Sequence, residues 1–139
     1  MEPTKVVVKY VNGKVIKGFM QNFSPNKDRF HLIPADNPSS GTTEVLLKHL
    51  KAVFVVRDFS GNPQYNERKK YVEGETPSGV KVEVTFLDDE VMVGSTVLGY
   101  DPERQGNFII PADPGSNNVR VFIVSSAMKS VRQLFDNPD

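Results

Sequence analysis

Few side chains in this chain of 139 residues are suited to catalysis. It contains no cysteine and only two histidines, His31 and His49, whereas a catalytic zinc site takes three protein ligands. Asp88, Asp89 and Glu90 bring three carboxylates together, but general acid–base catalysis needs carboxyl groups held apart, one of them desolvated in a cleft. A hairpin turn explains these residues better. The sequence therefore predicts no enzyme, no cofactor and no metal site.

Binding is better supported, first of all in the connecting segment, residues 57–79. Loops of this length in compact domains are usually functional or disordered, and the aromatic rings in this one argue against disorder. Arginine and tyrosine are frequent anchors of protein–protein interfaces. We therefore predict a binding site for another protein at Arg57, Asp58, Asn62, Tyr65 and Arg68. The alternative is that the segment only packs across both halves of the chain and fixes the angle between them.

A second set of residues indicates a different partner, nucleic acid. Arg68-Lys69-Lys70 lies between Tyr65 and Tyr71, and basic groups beside aromatic rings suit the phosphates and bases of a single strand. The isoelectric point near 6.7 is low for a dedicated nucleic-acid-binding protein, and lysines also protect exposed strand edges. Nucleic-acid binding is therefore the alternative to protein docking. The residues that would carry it lie on the first predicted hairpin: Lys5, Lys9, Lys14 and Lys17.

A third candidate ligand is a cyclic dinucleotide. Asp58-Phe59-Ser60-Gly61 resembles the start of the Asp/Asn-x-Ser-x-x-Gly motif of PilZ receptors. The glycine comes too early, however, and the Arg-x-x-x-Arg arm of those receptors does not precede it. The resemblance implies cyclic-dinucleotide binding as the weakest of the three hypotheses.

Charge is distributed unevenly although the formal net charge is zero. Residues 1–56 contain eight Lys or Arg against four Asp or Glu, an excess of four positive charges. Residues 80–139 contain five against nine, an excess of four negative charges. Complementary charge favours association, either within one chain or head-to-tail between chains. Self-association is therefore a further candidate interaction.

The sequence that must position these residues contains an internal repeat. Ile-Pro-Ala-Asp occurs at 33–36 and again about 77 residues later, at 110–113. The similarity extends outward, with Val-x-x-Gly and Lys-x-Val recurring on either side. Such self-similarity indicates two copies of one supersecondary unit. A unit of about 50–55 residues is marginally stable alone, so we expect the copies to pack against each other.

Alternating apolar and polar residues predict short strands. In the first copy they span 5–11, 14–20, 29–33, 42–47 and 51–56, with an Asn12-Gly13 hairpin turn and a helical turn at 48–50. In the second copy they span 80–87, 90–98, 107–110, 119–124 and 129–134, with a helical turn at 125–128. The inward-facing residues predict a core of Val6, Val8, Tyr10, Val15, Leu32, Val45, Leu47, Val53, Val82, Val84, Phe86, Val91, Ile109, Val121, Ile123 and Val131.

Five short antiparallel strands with a helical turn before the fifth resemble a small SH3-like or Sm-like barrel. The resemblance implies an all-β fold of two tandem five-stranded barrels, at 1–56 and 80–139. The residues that Sm proteins use for RNA are not matched, because Lys48-His49-Leu50 lacks the expected glycine. The whole chain also resembles an uncharacterised bacterial family with this duplicated unit, which implies no activity. With no cysteine, signal-like start or long apolar run, we expect a cytoplasmic protein without a membrane partner.

Overall fold

The chain folds as an all-β protein, as predicted. The computed structural model describes residues 4–62, 64–72, 74–75, 77, 79–96, 101 and 103–135. Within these residues ten antiparallel strands form one sheet, and the helical content is three turns of 3-10 helix. The described part of the chain has no helix of the length and apolarity needed to cross a membrane.

The strand bounds follow the predicted alternation to within one residue at each described end, except at the end of β7. The predicted extension of β7 to Leu98 lies outside the described residues, as do the predicted loop residue Pro102 and the tail 136–139. The strands are β1 (Thr4–Tyr10), β2 (Val15–Gln21), β3 (Arg29–Pro34), β4 (Thr43–Leu46), β5 (Leu50–Val56), β6 (Val80–Phe86), β7 (Val91–Thr96), β8 (Gly106–Pro111), β9 (Asn118–Val124) and β10 (Met128–Gln133). The 3-10 turns span Pro38–Ser40, Leu47–His49 and Ser125–Ala127.

The sheet order shows how the two repeats are joined. Its strands run β10-β6-β7-β8-β9-β5-β1-β2-β3-β4, so each repeat supplies five neighbouring strands. The junction is the pairing of β5, the last strand of the first repeat, with β9, the fourth strand of the second. Val53 lies opposite Phe122 in this pair. The two remaining ends of the sheet are the edge strands β4 and β10.

Side chains on β5 and β9 are buried on both faces of the sheet. Because successive residues of a strand point to opposite faces, each strand contributes to two hydrophobic cores. The first core, enclosed by the first repeat, receives Val53, Val55, Phe122 and Val124. The second core, enclosed by the second repeat, receives Ala52, Phe54, Val56, Val121 and Ile123. The β5–β9 pair is thus a wall that both repeats share.

The repeated Ile-Pro-Ala-Asp motif has a backbone role in both copies. Gly18 on β2 lies opposite Pro34, and Gly94 on β7 lies opposite Pro111. A Cβ atom added at either glycine would collide with the carbonyl oxygen of the isoleucine that precedes the proline. The glycine of Val-x-x-Gly therefore allows close approach of the strand that carries the motif.

Two residues of the predicted core are on the surface. Val15 and Val91 are each 47% exposed, and both are the first residue of the strand that follows a hairpin turn. Their cross-strand partners, Lys9 and Thr85, are not among the core residues of their own strands, and directly opposite residues share a face. The prediction was wrong for these two because it continued the apolar pattern across the turn.

We expect Phe122→Ala to lower the free energy of unfolding by about 3–5 kcal/mol, because the ring is buried and its removal leaves a cavity. Since β9 contributes to both cores, urea unfolding followed by circular dichroism should show one transition for the whole chain. Phe135→Ala is the control, because that ring is 79% exposed; it should change stability by less than about 0.5 kcal/mol. Separate transitions for the two repeats would contradict the shared wall.

Candidate functional site

The connecting segment lies against one turn of the second repeat. This turn, residues 113–117, follows β8 and is called here the Asp113 turn. Asp113 is 7% exposed, and its Oδ2 accepts hydrogen bonds from the Tyr65 hydroxyl at 2.7 Å and from the Arg68 backbone N–H at 2.8 Å. Its Oδ1 accepts one from the Gly115 N–H at 2.8 Å. The Asp113 carboxylate is therefore the point at which the segment is held.

These hydrogen bonds set the ionisation of the pair. The backbone N–H of Arg68, the Tyr65 hydroxyl and the N–H of Gly115 lower the pKa of the Asp113 carboxyl below its ordinary value, because each stabilises the anion. The same contact raises the pKa of Tyr65, since its proton is held by a carboxylate. These hydrogen bonds, and not the burial, thus keep Asp113 charged.

The Arg68 guanidinium makes three hydrogen bonds within the chain. It makes a two-point ion pair with Glu75, at 2.7 and 2.9 Å, and its Nη2 also donates to the Ala112 carbonyl at 2.8 Å. Glu75 in turn accepts from the backbone N–H of Val72. Bidentate arginine–carboxylate pairs have a well-defined geometry. Arg68 therefore fastens the segment to itself and to the end of β8.

The start of the segment is held by the far side of the same turn. Arg57 Nε donates to the Ser116 carbonyl at 3.1 Å. The side-chain amide of Asn117 exchanges two hydrogen bonds with the Asp58 backbone, at 3.0 and 2.8 Å. The Asn62 side chain accepts the N–H of Gln64 and so forms a local turn.

The structure thus brings Arg57, Asp58, Tyr65 and Arg68 together around the Asp113 turn. Asn62 lies in the turn of the segment that leads to Tyr65. The contacts of all five are within the chain, which supports the structural alternative for the segment. Partner binding at these residues stays a prediction.

Three of the four predicted nucleic-acid-binding lysines share one face of the β1–β2 hairpin. Lys5, Val7 and Lys9 are every second residue of β1, so their side chains point to the same face. Lys17 of β2 lies directly opposite Val7, which places its side chain on that face too. Lys14 is at the hairpin turn instead, with its Nζ 5.5 Å from the centroid of the Tyr10 ring. The lysine face is therefore Lys5, Lys9 and Lys17.

Aromatic rings and a carbonyl of the same chain contact the lysine face. Lys9 lies 4.7 Å from the centroid of Phe54, and Lys5 lies 6.0 Å from that of Phe59. Lys17 donates to the Phe59 carbonyl at 2.9 Å. The structure thus places an aromatic ring beside basic groups, as the nucleic-acid hypothesis requires, but it also uses these groups internally.

The three adjacent carboxylates lie at the β6–β7 hairpin, as the sequence predicts. Asp88 and Glu90 both bind the ammonium of Lys51 on β5, whose side chain is 13% exposed. Burial lowers the pKa of Lys51, but the hydrogen bonds to the two carboxylates and their charges together raise it by more, so the net shift is upward. This ion pair links the basic first repeat to the acidic second repeat within one chain.

A groove between the repeats was not predicted. It encloses about 540 Å³ and is called here the junction groove. The loop between β2 and β3 supplies one side of it, and β7, β8, β9 and the loop before β8 supply the rest. Its lining residues are Pro25, Asn26, Thr96, Arg104, Gly106, Asn107, Phe108, Ile110, Arg120 and Phe122.

The floor of the junction groove belongs to a cluster of four aromatic rings. Phe23 and Phe30 come from the first repeat, and Phe108 and Phe122 from the second. Their centroids are 5.0–5.8 Å apart with edge-to-face geometry, which is a favourable arrangement for aromatic pairs. Ile110 extends this apolar surface and is 42% exposed. The groove is therefore an apolar surface held rigidly by both repeats.

Hydrogen bonds tie together the loops beside the groove. Gln105 donates from Nε2 to the carbonyls of Pro25 and Lys27, at 3.0 and 2.8 Å. Ser125 donates to the carbonyl of Arg104 at 2.6 Å. These contacts fix the two loops that face each other across the groove, so a ligand would enter a preformed site.

Two arginines border the groove, and they differ in their partners. The Arg104 guanidinium lies 3.6 Å from Asp101 and 3.3 Å from the amide oxygen of Asn107. The Arg120 guanidinium lies over the Phe108 ring, 5.1 Å from its centroid. Among the described residues it makes no hydrogen bond or ion pair. Arg120 is thus a cation positioned by an aromatic ring and left without a counter-charge.

Thr96 is a polar residue of the groove lining. It is 2% exposed, and its hydroxyl has no hydrogen-bond partner in the described part of the chain. Gly94, two residues earlier on β7, lies opposite Val82 of the second core, so the Thr96 side chain points toward that core.

Differences between the repeats are the signal that could have indicated the groove. Asn107 is buried at the position that Phe30 occupies in the first repeat, and Arg120 corresponds to Thr42. The Asn107 side-chain amide accepts a hydrogen bond from the backbone N–H of Asp101 and donates one to the Asp101 carbonyl. These two bonds hold the loop that carries Arg104. Departures from the repeat pattern thus coincide with the groove.

We expect Asp113→Asn to lower the thermal midpoint at pH 7 by several degrees, because the amide group cannot accept all three donors. In the native protein the folded pKa of Asp113 is lowered. Its stabilisation is therefore complete above the ordinary carboxyl pKa of about 4 and is lost as the pH falls through the lowered value. Thermal unfolding followed by circular dichroism between about pH 7 and 3 should show that the variant loses this acid dependence.

Asp36→Asn is the matched control. Asp36 holds the same position in the first Ile-Pro-Ala-Asp motif, but it is exposed and its carboxylate has no hydrogen bond in the described structure. We expect this variant to behave like the wild type at every pH. An equal loss of stability in both variants would contradict a specific role of Asp113.

Comparison with known proteins gives a family without an assigned activity. No curated protein and no solved structure is detectably similar to the chain. The model of a family of unknown function, DUF6982, matches residues 2–135. Because the match covers nearly the whole sequence, the chain belongs to this DUF6982 family of unknown function.

Proposed function

We propose that the protein is a non-catalytic binding module that docks a segment of another protein into the junction groove. The observation that carries the proposal is the composition of the groove: an apolar floor from the second repeat, faced by a loop of the first repeat and bordered by arginines. Its volume of about 540 Å³ is within the usual range of ligand sites. Phenylalanine and arginine are also enriched at protein interfaces.

We further propose that the two halves of the sheet are SH3-like barrels fused along β5 and β9, and that the module acts in the cytoplasm. Fusion supports a docking role because both walls of the groove belong to one rigid unit. Preorganised sites bind with a smaller entropic cost than sites that form on binding. The hydrogen bonds of Gln105 across the groove support this rigidity.

Selection of random peptides displayed on phage tests the proposal. Peptides enriched on the full chain should perturb the NMR signals of Phe108, Ile110 and Phe122. We expect Ile110→Asp to weaken their binding about tenfold or more, because a charge would enter the apolar surface. The control is Val91→Asp, at a residue of similar exposure on β7 outside the groove lining. Perturbations elsewhere, or equal losses in both variants, would contradict docking in the groove.

Nucleic-acid binding is the second candidate, and the lysine face favours it. Lys5, Lys9 and Lys17 are on one face of the β1–β2 hairpin, with the Phe59 ring beside Lys5. The acidic second repeat and the internal contacts of these lysines weaken this candidate. A single strand bound here would be held mainly through its phosphates.

If this second candidate holds, binding of a single-stranded oligonucleotide should weaken steeply as salt rises, because counterions are released on binding. Lys9→Glu should weaken binding further, by about tenfold at low salt. Lys129→Glu, a change of the same charge on β10, is the control. Fluorescence anisotropy measures both effects. Absence of binding at low salt would eliminate this candidate.

A further inference from the structure

We infer that the segment docked in the junction groove is acidic: it presents a carboxylate to Arg120 beside an apolar side chain that contacts Ile110 and Phe108. The inference rests on the proposed function and adds the chemistry of the ligand. It depends on two observations that the docking proposal does not use: the contacts of Arg120 and the contacts of Arg104.

Arg120 is prepared for a carboxylate by its contact with Phe108. Stacking of the guanidinium over the ring, at 5.1 Å, positions the planar group while leaving its N–H edges available. No carboxylate in the described part of the chain pairs with it. A planar guanidinium binds a carboxylate through two parallel hydrogen bonds. An acidic side chain of a ligand would therefore complete a bidentate pair.

Arg104 provides a further point of contact. Its guanidinium lies 3.6 Å from Asp101 and 3.3 Å from the amide oxygen of Asn107, and these contacts leave other N–H groups of the guanidinium for a second acidic group. Arg104, Arg120 and the exposed Ile110 line the same groove.

The surrounding charge favours a peptide with one or two acidic residues over a nucleic acid. The second repeat carries nine acidic residues against five basic ones, and this excess repels a polyanionic backbone. A single carboxylate instead interacts locally with Arg120, within the roughly 8–10 Å over which charges act at physiological salt. The apolar floor also matches a side chain such as isoleucine or leucine.

Synthetic peptide pools test the inference with the full chain. Each fluorescein-labelled peptide of about ten residues carries one isoleucine followed by glutamate, glutamine or lysine, and the other positions vary among alanine, serine and threonine. We expect the glutamate pool to bind about tenfold more tightly than the glutamine pool, the effect of one charge-assisted contact, and the lysine pool to bind most weakly. Fluorescence anisotropy gives the affinities.

Variants locate the preference. Arg120→Gln should remove the difference between the glutamate and glutamine pools, and Arg120→Lys should keep part of it, because lysine supplies charge without the two-point geometry. Arg132→Gln is the matched control: it changes the same charge on the edge strand β10, where Arg132 pairs with Glu83, and should leave the ratio unchanged. Circular dichroism confirms that each variant is folded.

The outcomes separate this inference from the proposed function. Equal binding of the glutamate and glutamine pools, with NMR perturbations in the groove, would overturn the acidic ligand and leave docking intact. A ratio lost equally in Arg120→Gln and Arg132→Gln would also overturn it. No binding of any pool in the groove would overturn both. Displacement of the glutamate pool by single-stranded oligothymidine in an Arg120-dependent manner would overturn both in favour of nucleic acid.

Discussion

Pairing between β5 and β9 ties the two repeats together, because each of these strands sends alternate side chains into a different core. A strand buried on both faces reads as a continuous apolar run, and 52–56 and 121–124 are such runs. The remaining strands of each repeat close over one face of this pair. The aromatic floor of the junction groove also depends on it, since Phe122 of β9 is packed among rings of both repeats.

Much of the local structure could be predicted, because it depends on neighbours in the sequence. Alternation located all ten strands, and Asn12-Gly13 located the first hairpin. Partner choice depends on distant segments, and periodicity does not encode it. The run at 52–56 predicts a strand, but nothing in it specifies that β9 of the other repeat is its neighbour. Val15 and Val91 were predicted wrongly for a local reason: the apolar pattern was continued across a hairpin turn, and an apolar residue fits either face of a strand.

The environment of a site residue was the hardest feature to predict. Asp36 and Asp113 occupy identical motifs, yet one is exposed and the other is buried under the connecting segment. Their difference arises from Tyr65 and Arg68, which contact only the second motif. The groove lies likewise at the meeting of a loop of the first repeat with strands of the second, so no single stretch of sequence contains it. The replacements at Asn107 and Arg120 are the sequence signal that could have indicated the groove.

The edge strands β4 and β10 carry charged side chains where the junction strands carry aromatic ones. Lys51-x-Val53 and Lys129-x-Val131 align the repeats with an offset of 78 residues, so Arg132 on β10 corresponds to Phe54 and Glu44 on β4 corresponds to Phe122. The junction buries aromatic rings at these positions, whereas the edge strands expose charged side chains. Each charged side chain is paired within its own repeat, Arg132 with Glu83 and Glu44 with Arg29. Charged side chains oppose pairing between exposed edges. The two edges of the sheet thus oppose the addition of a further strand, whereas the apolar junction between β5 and β9 favours pairing.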